Sequence, residues 1–254
     1  MHFKKEFLDK LNTSKKIIFF TGAGISAESG ISTFRGKDGI WNKMKPEELA
    51  NFDAFMRNPD LVWEWYQHRR SIINEAQPNK GHLAIAELEK YFDVTVVTQN
   101  IDNLHGRAGS KKIYELHGNI ERNFCVDCHT FYNSPELELT DHAPKCKNCG
   151  GLVRPDVVWF GEMLPQEEYR SAERAAEWCD VCFVVGTSAV VYPAAYIPFT
   201  AKQAGAFIVE INIEQTEMSR YANYSIFGKS GEILPQIVEE IKSFRNSSAD
   251  SSEA

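Results

Sequence analysis

The apolar run Ile17–Phe20 leads directly into a glycine turn, Thr21-Gly22-Ala23-Gly24-Ile25-Ser26-Ala27, and this junction restricts the fold more than any other stretch. Consecutive apolar residues bounded by a turn read as a strand buried on both faces, the kind found in parallel sheets covered by helices. Gly22, Gly24 and Ala27 match the pattern G-x-G-x-x-G/A. Its glycines allow a tight turn and bring backbone close to a pyrophosphate, and the helix that follows offers N–H groups to the anion. Ser26 and Ser29 can cap that helix or bond phosphate. An ordinary strand-to-helix turn would look the same. The pattern is also incomplete. An acid ending a second strand about 20 residues on should hold a ribose, but Gly36-Lys37-Asp38-Gly39-Ile40-Trp41 is a polar loop. A nucleotide fits this turn; the standard dehydrogenase layout does not.

Helical and extended patterns alternate along the chain. Residues 3–13 form an amphipathic pattern, with Phe3, Phe7, Leu8 and Leu11 on one side. Residues 36–57 read as a loop holding a short helix at Pro46–Asn51. Asn58-Pro59-Asp60 starts a helix by cap, proline and acid, and the helix should stop near Ala76, before Pro78. A helix over Gly81–Tyr91, a strand at Val94–Thr98 and a polar turn at Gln99–Asn103 follow. After residue 153 come a helix near Gln166–Trp178, a strand at Val181–Val185, a turn at Gly186-Thr187-Ser188, a helix near Ala194–Ala204, a strand at Phe207–Ile211 and a closing helix at Ile233–Phe244. This order predicts an α/β fold with a doubly wound, Rossmann-like parallel sheet. Residues 1–120 and 154–246 would form it, residues 121–153 would be a small inserted module, and residues 247–254, SSADSSEA, have nothing to bury and should be disordered.

The inserted stretch carries Cys125-Val126-Asp127-Cys128, then seventeen residues, then Cys146-Lys147-Asn148-Cys149. Two C-x-x-C turns can bring four thiolates to one tetrahedral Zn²⁺, the alternatives being chance or redox cysteines. Four sulfur ligands leave no open position, so such a zinc is structural. His129 beside Cys128 then reads as an exposed surface histidine. Cys179 and Cys182 share the C-x-x-C spacing but run into an apolar strand, and read as buried thiols.

Among 254 residues, 43% are hydrophobic and the formal net charge is −7, which suits one α/β domain with a small insertion and argues against direct nucleic-acid binding. No apolar run is long enough to span a bilayer, and the first residues lack a signal-peptide core. A soluble cytoplasmic monomer is the expectation.

Two further stretches carry chemistry. Gln99-Asn100-Ile101-Asp102-Asn103-Leu104-His105 follows a strand, at the carboxyl end where doubly wound folds hold ligands. Its side chains offer donors and acceptors for a carboxamide and a ribose, or cap a solvated loop. In Tyr114-Glu115-Leu116-His117-Gly118, the near-neutral titration of imidazole makes His117 a candidate general base.

The ordered set GAGISAESGISTFRG, TQNIDNLH, LHG, the four cysteines, GTS and Ile211-Asn212 resembles the sirtuins, the Sir2 family of NAD-dependent protein lysine deacylases, from about Lys15 to Leu234. The resemblance implies that Gly22, Ala23, Gly24 and Ser26 hold the NAD pyrophosphate. Phe34 and Arg35 would shield the nicotinamide ribose, with Trp41 in the covering loop, and Gln99, Asn100, Ile101 and Asp102 would line the nicotinamide and ribose pocket. Gly186, Thr187 and Ser188, with Asn212, Ile213 and Glu214, would meet the phosphate and adenosine side, and Ser230 the adenine. His117 would be the general base, with Asn100 and Asp102 in the catalytic centre. Val157, Val158, Trp159, Phe160, Gly161 and Glu162, with the turn after Ser188, resemble two strands that sandwich a substrate peptide. The implied reaction has the acyl-lysine oxygen attack the ribose as nicotinamide leaves, and ends in free lysine and O-acyl-ADP-ribose. It also accounts for the missing acid, since this family reads NAD through other ribose contacts.

The helix from Asn58 contains Trp63-Glu64-Trp65-Tyr66-Gln67-His68-Arg69-Arg70. Tyr66 and Arg69 share a helix face, and a guanidinium with a phenol suits a carboxylate; spacing alone favours a surface arginine and a half-buried tyrosine. The Y-x-x-R pair resembles the sirtuin class that removes succinyl and malonyl groups, as does AESG, and Ala50 falls where that class widens the acyl pocket. The resemblance leaves room for acetyl-lysine. Arg70 is assigned to the surface. The rival functions are mono-ADP-ribosylation at the same NAD site and a sensor that binds NAD or ADP-ribose without turnover.

Overall fold

Each buried strand presents two apolar faces, and helices cover both. The computed structural model describes residues 2–34, 39–42, 45–134, 137, 140 and 142–250. Strands β1 (Lys16–Thr21), β2 (Asp93–Thr98), β3 (Ile113–Glu115), β7 (Val181–Val185), β8 (Phe207–Asn212) and β9 (Tyr224–Phe227) form one sheet in the order β3-β2-β1-β7-β8-β9. Every pairing in it is parallel. Side chains alternate across the sheet. Ile17, Phe19, Val96, Phe183 and Val209 pack on the face covered by α1 (Lys5–Thr13), α5 (Lys80–Leu88) and α9 (Ser230–Asp250). Ile18, Phe20, Val97, Cys182 and Ile208 face α7 (Gln166–Glu177) and α8 (Tyr196–Gln203).

A second sheet, in the order β5-β4-β6, is antiparallel and joins β4 (Gly118–Cys125), β5 (Phe131–Asn133) and β6 (Val153–Val157). The helices α2 (Pro46–Leu49), α3 (Phe52–Arg57) and α4 (Pro59–Glu75) share a core with it: Leu49, Phe55, Trp63 and Tyr66 pack with Cys125, Tyr132, Cys146 and Val153. Thus α2–α4, assigned from sequence to the large sheet, pack with the cysteine-bearing segment. α4 begins as expected. The Asn58 side chain accepts from the Leu61 N–H at 3.3 Å, and Pro59 takes the first turn.

Other departures have local causes. The glycine turn opens a seven-residue 3-10 helix, Ala23–Ser29, where an α-helix was expected, and left-handed Gly30 ends it. α6 (Leu104–Arg107) is a single turn directly after the expected polar turn Gln99–Asn103. Strands β3 and β9 have three and four residues, too short for a period to register. α9 starts at Ser230 and continues through Asp250, so residues 247–250 extend a helix instead of beginning a disordered tail. Once a helix is nucleated, adding residues costs little. Residues 251–254 lie outside the described residues. Among the described residues, no helix is long and apolar enough to cross a membrane.

Candidate active site

Strand order reverses at β1, with β2 on one side and β7 on the other, and that switch point is where doubly wound sheets open a ligand crevice. Two turns cross there at backbone distance. A Cβ on Gly24 would lie 2.7 Å from the Gly186 Cα, and one on Gly186, at φ +59°, would lie 2.3 Å from the Ile25 nitrogen. The amides of Gly22 and Gly24 donate to the carbonyls of Val185 (3.1 Å) and Gly186 (2.8 Å). These glycines therefore serve the close approach of two turns, and their own N–H groups are spent within the protein. The Gln99 carboxamide donates to Thr187 Oγ1 at 2.9 Å, and Asn212 Nδ2 donates to the Thr187 carbonyl at 3.0 Å. The carboxyl ends of β1, β2, β7 and β8 are tied together in this way.

Below this edge lies a buried polar network. Ser26 Oγ donates to Asp102 Oδ2 at 2.7 Å and accepts from Asn100 Nδ2 at 3.2 Å. Asn100 Nδ2 also donates to the Gly22 carbonyl, and the Leu104 N–H donates to Asp102 Oδ1. His82 Nδ1 accepts from the Asn79 N–H, which leaves Nε2–H facing Ser26 Oγ at 3.5 Å. His105 Nε2 lies 3.0 Å from Thr21 Oγ1, whose own hydrogen goes to Thr98 Oγ1, so Nε2 is the donor. The two imidazoles meet edge to face at 4.9 Å. Burial pushes His82 down to about 4, and holds His105 well below its ordinary range, with His82 adding to the effect. Burial raises Asp102, against the lowering effect of Ser26, the Leu104 N–H, Arg69 and Arg107.

His117 lies half-buried in the tight turn between β3 and β4. Its Nδ1 is 3.0 Å from the Gln99 carbonyl, and its own carbonyl accepts from the Val158 N–H at 2.9 Å. Gly118 must be glycine: φ is +78°, and a Cβ would lie 2.1 Å from the Asp156 carbonyl.

α4 carries Tyr66 and Arg69 into the same region. Both are buried, at 2% and 6% exposure. The Tyr66 oxygen accepts from the Trp159 indole N–H at 2.8 Å. The Arg69 guanidinium lies 5.0 Å from the Phe34 ring centroid and 5.7 Å from that of Trp65. Arg69 Nε is buried without a hydrogen-bond partner among the described residues. Burial lowers the Arg69 guanidinium, opposed by Tyr66 and Asp102, and pushes the Tyr66 phenol well above its ordinary range, so the phenol keeps its proton near neutrality. Ala50, also buried, accepts from the Phe160 N–H at 3.0 Å. Arg70 is not on the surface. It is 2% exposed, and its guanidinium donates to the Ile120 carbonyl at 2.7 and 3.0 Å and to Asn123 Oδ1 at 2.9 Å. The helix turns it into the second sheet, away from Arg69.

The profile of the Sir2 family matches residues 22–193. The chain belongs to the Sir2 family. This sirtuin is 55% identical to NAD-dependent protein deacylase 2 of Pyrobaculum aerophilum, over 92% of this chain and 94% of that one. It is 53% identical to the NAD-dependent protein deacylase of Pyrococcus furiosus, over 91% and 95%. A solved Sir2 homologue–NAD complex superposes with a TM-score of 0.89 at 46% identity, covering 95% of each chain. A Sir2–p53 peptide–NAD⁺ complex superposes at 0.84 with 36% identity, covering 94% of this chain and 98% of that one.

The sirtuin's Cys125, Cys128, Cys146 and Cys149 place their Sγ atoms within 4.8 Å of one another. Four thiolates about 2.3 Å from one tetrahedral Zn²⁺ would stand about 3.8 Å apart, so the cluster fits that ion. Thr130 Oγ1 lies 3.2 Å from Cys128 Sγ and the Tyr132 hydroxyl 3.1 Å from Cys146 Sγ. Thr130 Oγ1 accepts from Asn148 and the Tyr132 hydroxyl from the Lys147 N–H, which leaves both hydroxyl hydrogens for sulfur. His129 is exposed, and Cys179 and Cys182 are buried with raised thiol values, Cys179 to about 12.

Ile101 and Thr187 are buried beside the network, and Ala23 and Ser188 are half-buried at the crossing. Val157 ends β6, but Val158–Glu162 form a turn, with Gly161 at φ +90°. Ile213 and Glu214 are exposed after β8. Ser230 is buried at the start of α9, where Glu28 Oε2 accepts from its Oγ at 3.3 Å and from the Gly231 N–H at 2.7 Å. Arg35 and Gly36–Asp38 lie outside the described residues, as does the Trp41 side chain. Sequence reasoning missed His82 and Glu210. His82 sits three residues after the Asn79 cap, so the capping pattern could have drawn notice to it. Glu210 is fully buried in β8 and accepts from the hydroxyls of Thr216, Ser219 and Ser225, and a charge inside an apolar strand was its signal.

Proposed function

We propose that this sirtuin is an NAD-dependent protein lysine deacylase that removes succinyl and malonyl groups, and acetyl groups as well. The observation that carries the acyl preference is a pair of buried donors. Among the described residues, Arg69 Nε–H has no partner and Arg69 enters no ion pair. The Tyr66 oxygen is already an acceptor, so its O–H is left to give. Two buried donors without an acceptor, one of them cationic, suit the carboxylate at the end of a dicarboxylic acyl chain. Ala50 is read as the small residue that widens the acyl pocket.

The residues at the switch point suit a dinucleotide. The glycine crossing keeps side chains off the β1/β7 edge, and Gln99, Asn100, Asp102 and Asn212 offer polar groups for a carboxamide and ribose hydroxyls. When bound, NAD supplies an electrophilic ribose carbon with nicotinamide as its leaving group. His117 is read as the general base. The Gln99 carbonyl can only accept, so Nδ1 holds the proton and Nε2 is the basic nitrogen. Ser26, Asn100 and Asp102 hold one another and so fix the polar floor of the site. The four cysteines are read as ligands of one structural zinc. The protein is read as a cytoplasmic monomer acting on acylated proteins, and the net charge of −7 supports the reading that it has no nucleic-acid partner.

The test is incubation with NAD and matched succinyl-, malonyl- and acetyl-lysine peptides, followed by mass spectrometry. Deacylated peptide with release of nicotinamide is the expected product. A peptide that gains ADP-ribose would favour transfer instead, and NAD binding without turnover would favour a sensor.

A further inference from the structure

Tyr66 has a single hydrogen to donate, and its direction is settled by a residue distant in sequence. The Trp159 indole N–H is a donor only, and it lies 2.8 Å from the Tyr66 oxygen. A phenol O–H lies near its ring plane in one of two opposed orientations, and an N–H arriving on one side leaves the other. Both residues are 2% exposed, so no water competes for the pair.

The indole is itself firmly held. Glu162 Oε2 accepts from the Trp159 main-chain N–H at 2.7 Å, and Glu162 is paired with the Arg154 guanidinium through both carboxylate oxygens. Arg154 is 3% exposed, donates to the Val157 carbonyl at 2.8 Å and lies 3.3 Å from the Trp159 ring centroid. The Phe55 ring packs against the indole at 5.3 Å. A fixed indole gives the phenol a fixed direction.

The geometry points to Trp159 as a positioning residue for acyl specificity: its N–H turns the Tyr66 O–H toward the acyl pocket and thereby favours chains ending in a carboxylate over uncharged ones. This rests on the dicarboxylic acyl preference proposed above. The donated N–H also polarises the phenol and makes it a stronger donor. An uncharged acetyl group needs neither effect.

The experiment measures kcat/KM on matched succinyl and acetyl peptides for the parent, Trp159→Phe, Tyr66→Phe and the double variant, with thermal unfolding of each. Trp159→Phe should lower the succinyl value about tenfold, as for loss of one hydrogen bond to a charged-ligand site, and the acetyl value by less than about threefold. The double variant should be no worse on succinyl-lysine than Tyr66→Phe, because the two residues act through one hydroxyl. Equal losses on both peptides, additive losses, or full succinyl activity in Trp159→Phe would overturn the inference while the acyl preference stands. A parent without succinyl activity overturns the acyl preference and this inference together. If Trp159→Phe does not fold, benzothienylalanine at position 159 keeps the indole shape without its N–H, and the same outcomes decide.

Discussion

His117 Nδ1 lies 3.0 Å from the main-chain oxygen of Gln99. Since that oxygen cannot donate, the ring is fixed in the tautomer with its proton on Nδ1 and its lone pair on Nε2. His117→Ala should therefore reduce release of deacylated lysine on the order of 10²- to 10⁴-fold, while calorimetry finds NAD bound about as tightly as by the parent. Nicotinamide exchange can persist slowly, because the first bond cleavage does not need this base. Near-normal turnover in the variant would remove His117 from the role.

Arg69→Met keeps bulk and removes the cation. On succinyl-lysine it leaves the substrate carboxylate unpaired in a buried site, a cost on the order of 2–5 kcal/mol, or tens- to thousands-fold in kcat/KM. Acetyl-lysine should lose far less. Steady-state kinetics on both peptides check this, and equal losses would assign Arg69 to supporting Phe34 or the fold.

The cysteine cluster shares its core with α4, through Cys125, Cys146 and Tyr132 on one side and Trp63 and Tyr66 on the other. Metal analysis should find about one zinc per chain. Stripping it with a chelator, or replacing Cys146 by Ser, should lower the thermal midpoint and disorder the packing around Tyr66. A Cys146→Ser protein that contains no metal and melts with the parent would rule out a structural zinc.

Burial lowers His82 from 6.5 to about 4. As pH falls, the unfolded chain takes up this proton before the folded one does. The stability contributed is complete above about 6.5 and is lost through the window down to about 4. At about 1.4 kcal/mol per unit, it is on the order of 3 kcal/mol. His105 is lowered too and acts in the same sense, whereas raised Asp102 acts in the opposite one. The difference between parent and His82→Gln in denaturant unfolding, followed from pH 7 to pH 4, isolates the His82 share. A difference independent of pH would contradict it.

Arg70 ties α4 to β4 through Ile120 and Asn123. Arg70→Met should destabilise the protein by on the order of 3 kcal/mol, since a buried carbonyl and carboxamide lose their donor. The ratio of succinyl to acetyl kcat/KM should hold, which separates this arginine from its neighbour Arg69.

What the sequence determined by itself was local. Two C-x-x-C turns need only their own geometry to present four sulfurs, so the cysteine cluster was legible. The runs that became β1, β2, β7 and β8 are apolar on both faces, which only a covered parallel sheet accommodates. The Asn58-Pro59 start of α4 depends on neighbouring residues alone. The tertiary structure decided the partners. Helical spacing put Tyr66 and Arg69 on one face, yet gave no hint that the Tyr66 oxygen would meet Trp159, 93 residues away, or that Arg69 Nε would be left without an acceptor. Arg70 read as a surface residue because its acceptors in the second sheet, Ile120 and Asn123, lie 50 and 53 residues along the chain. Periodicity records which side of one element turns inward. Which donor finds an acceptor, and which stays free for a ligand, follows from how distant elements pack.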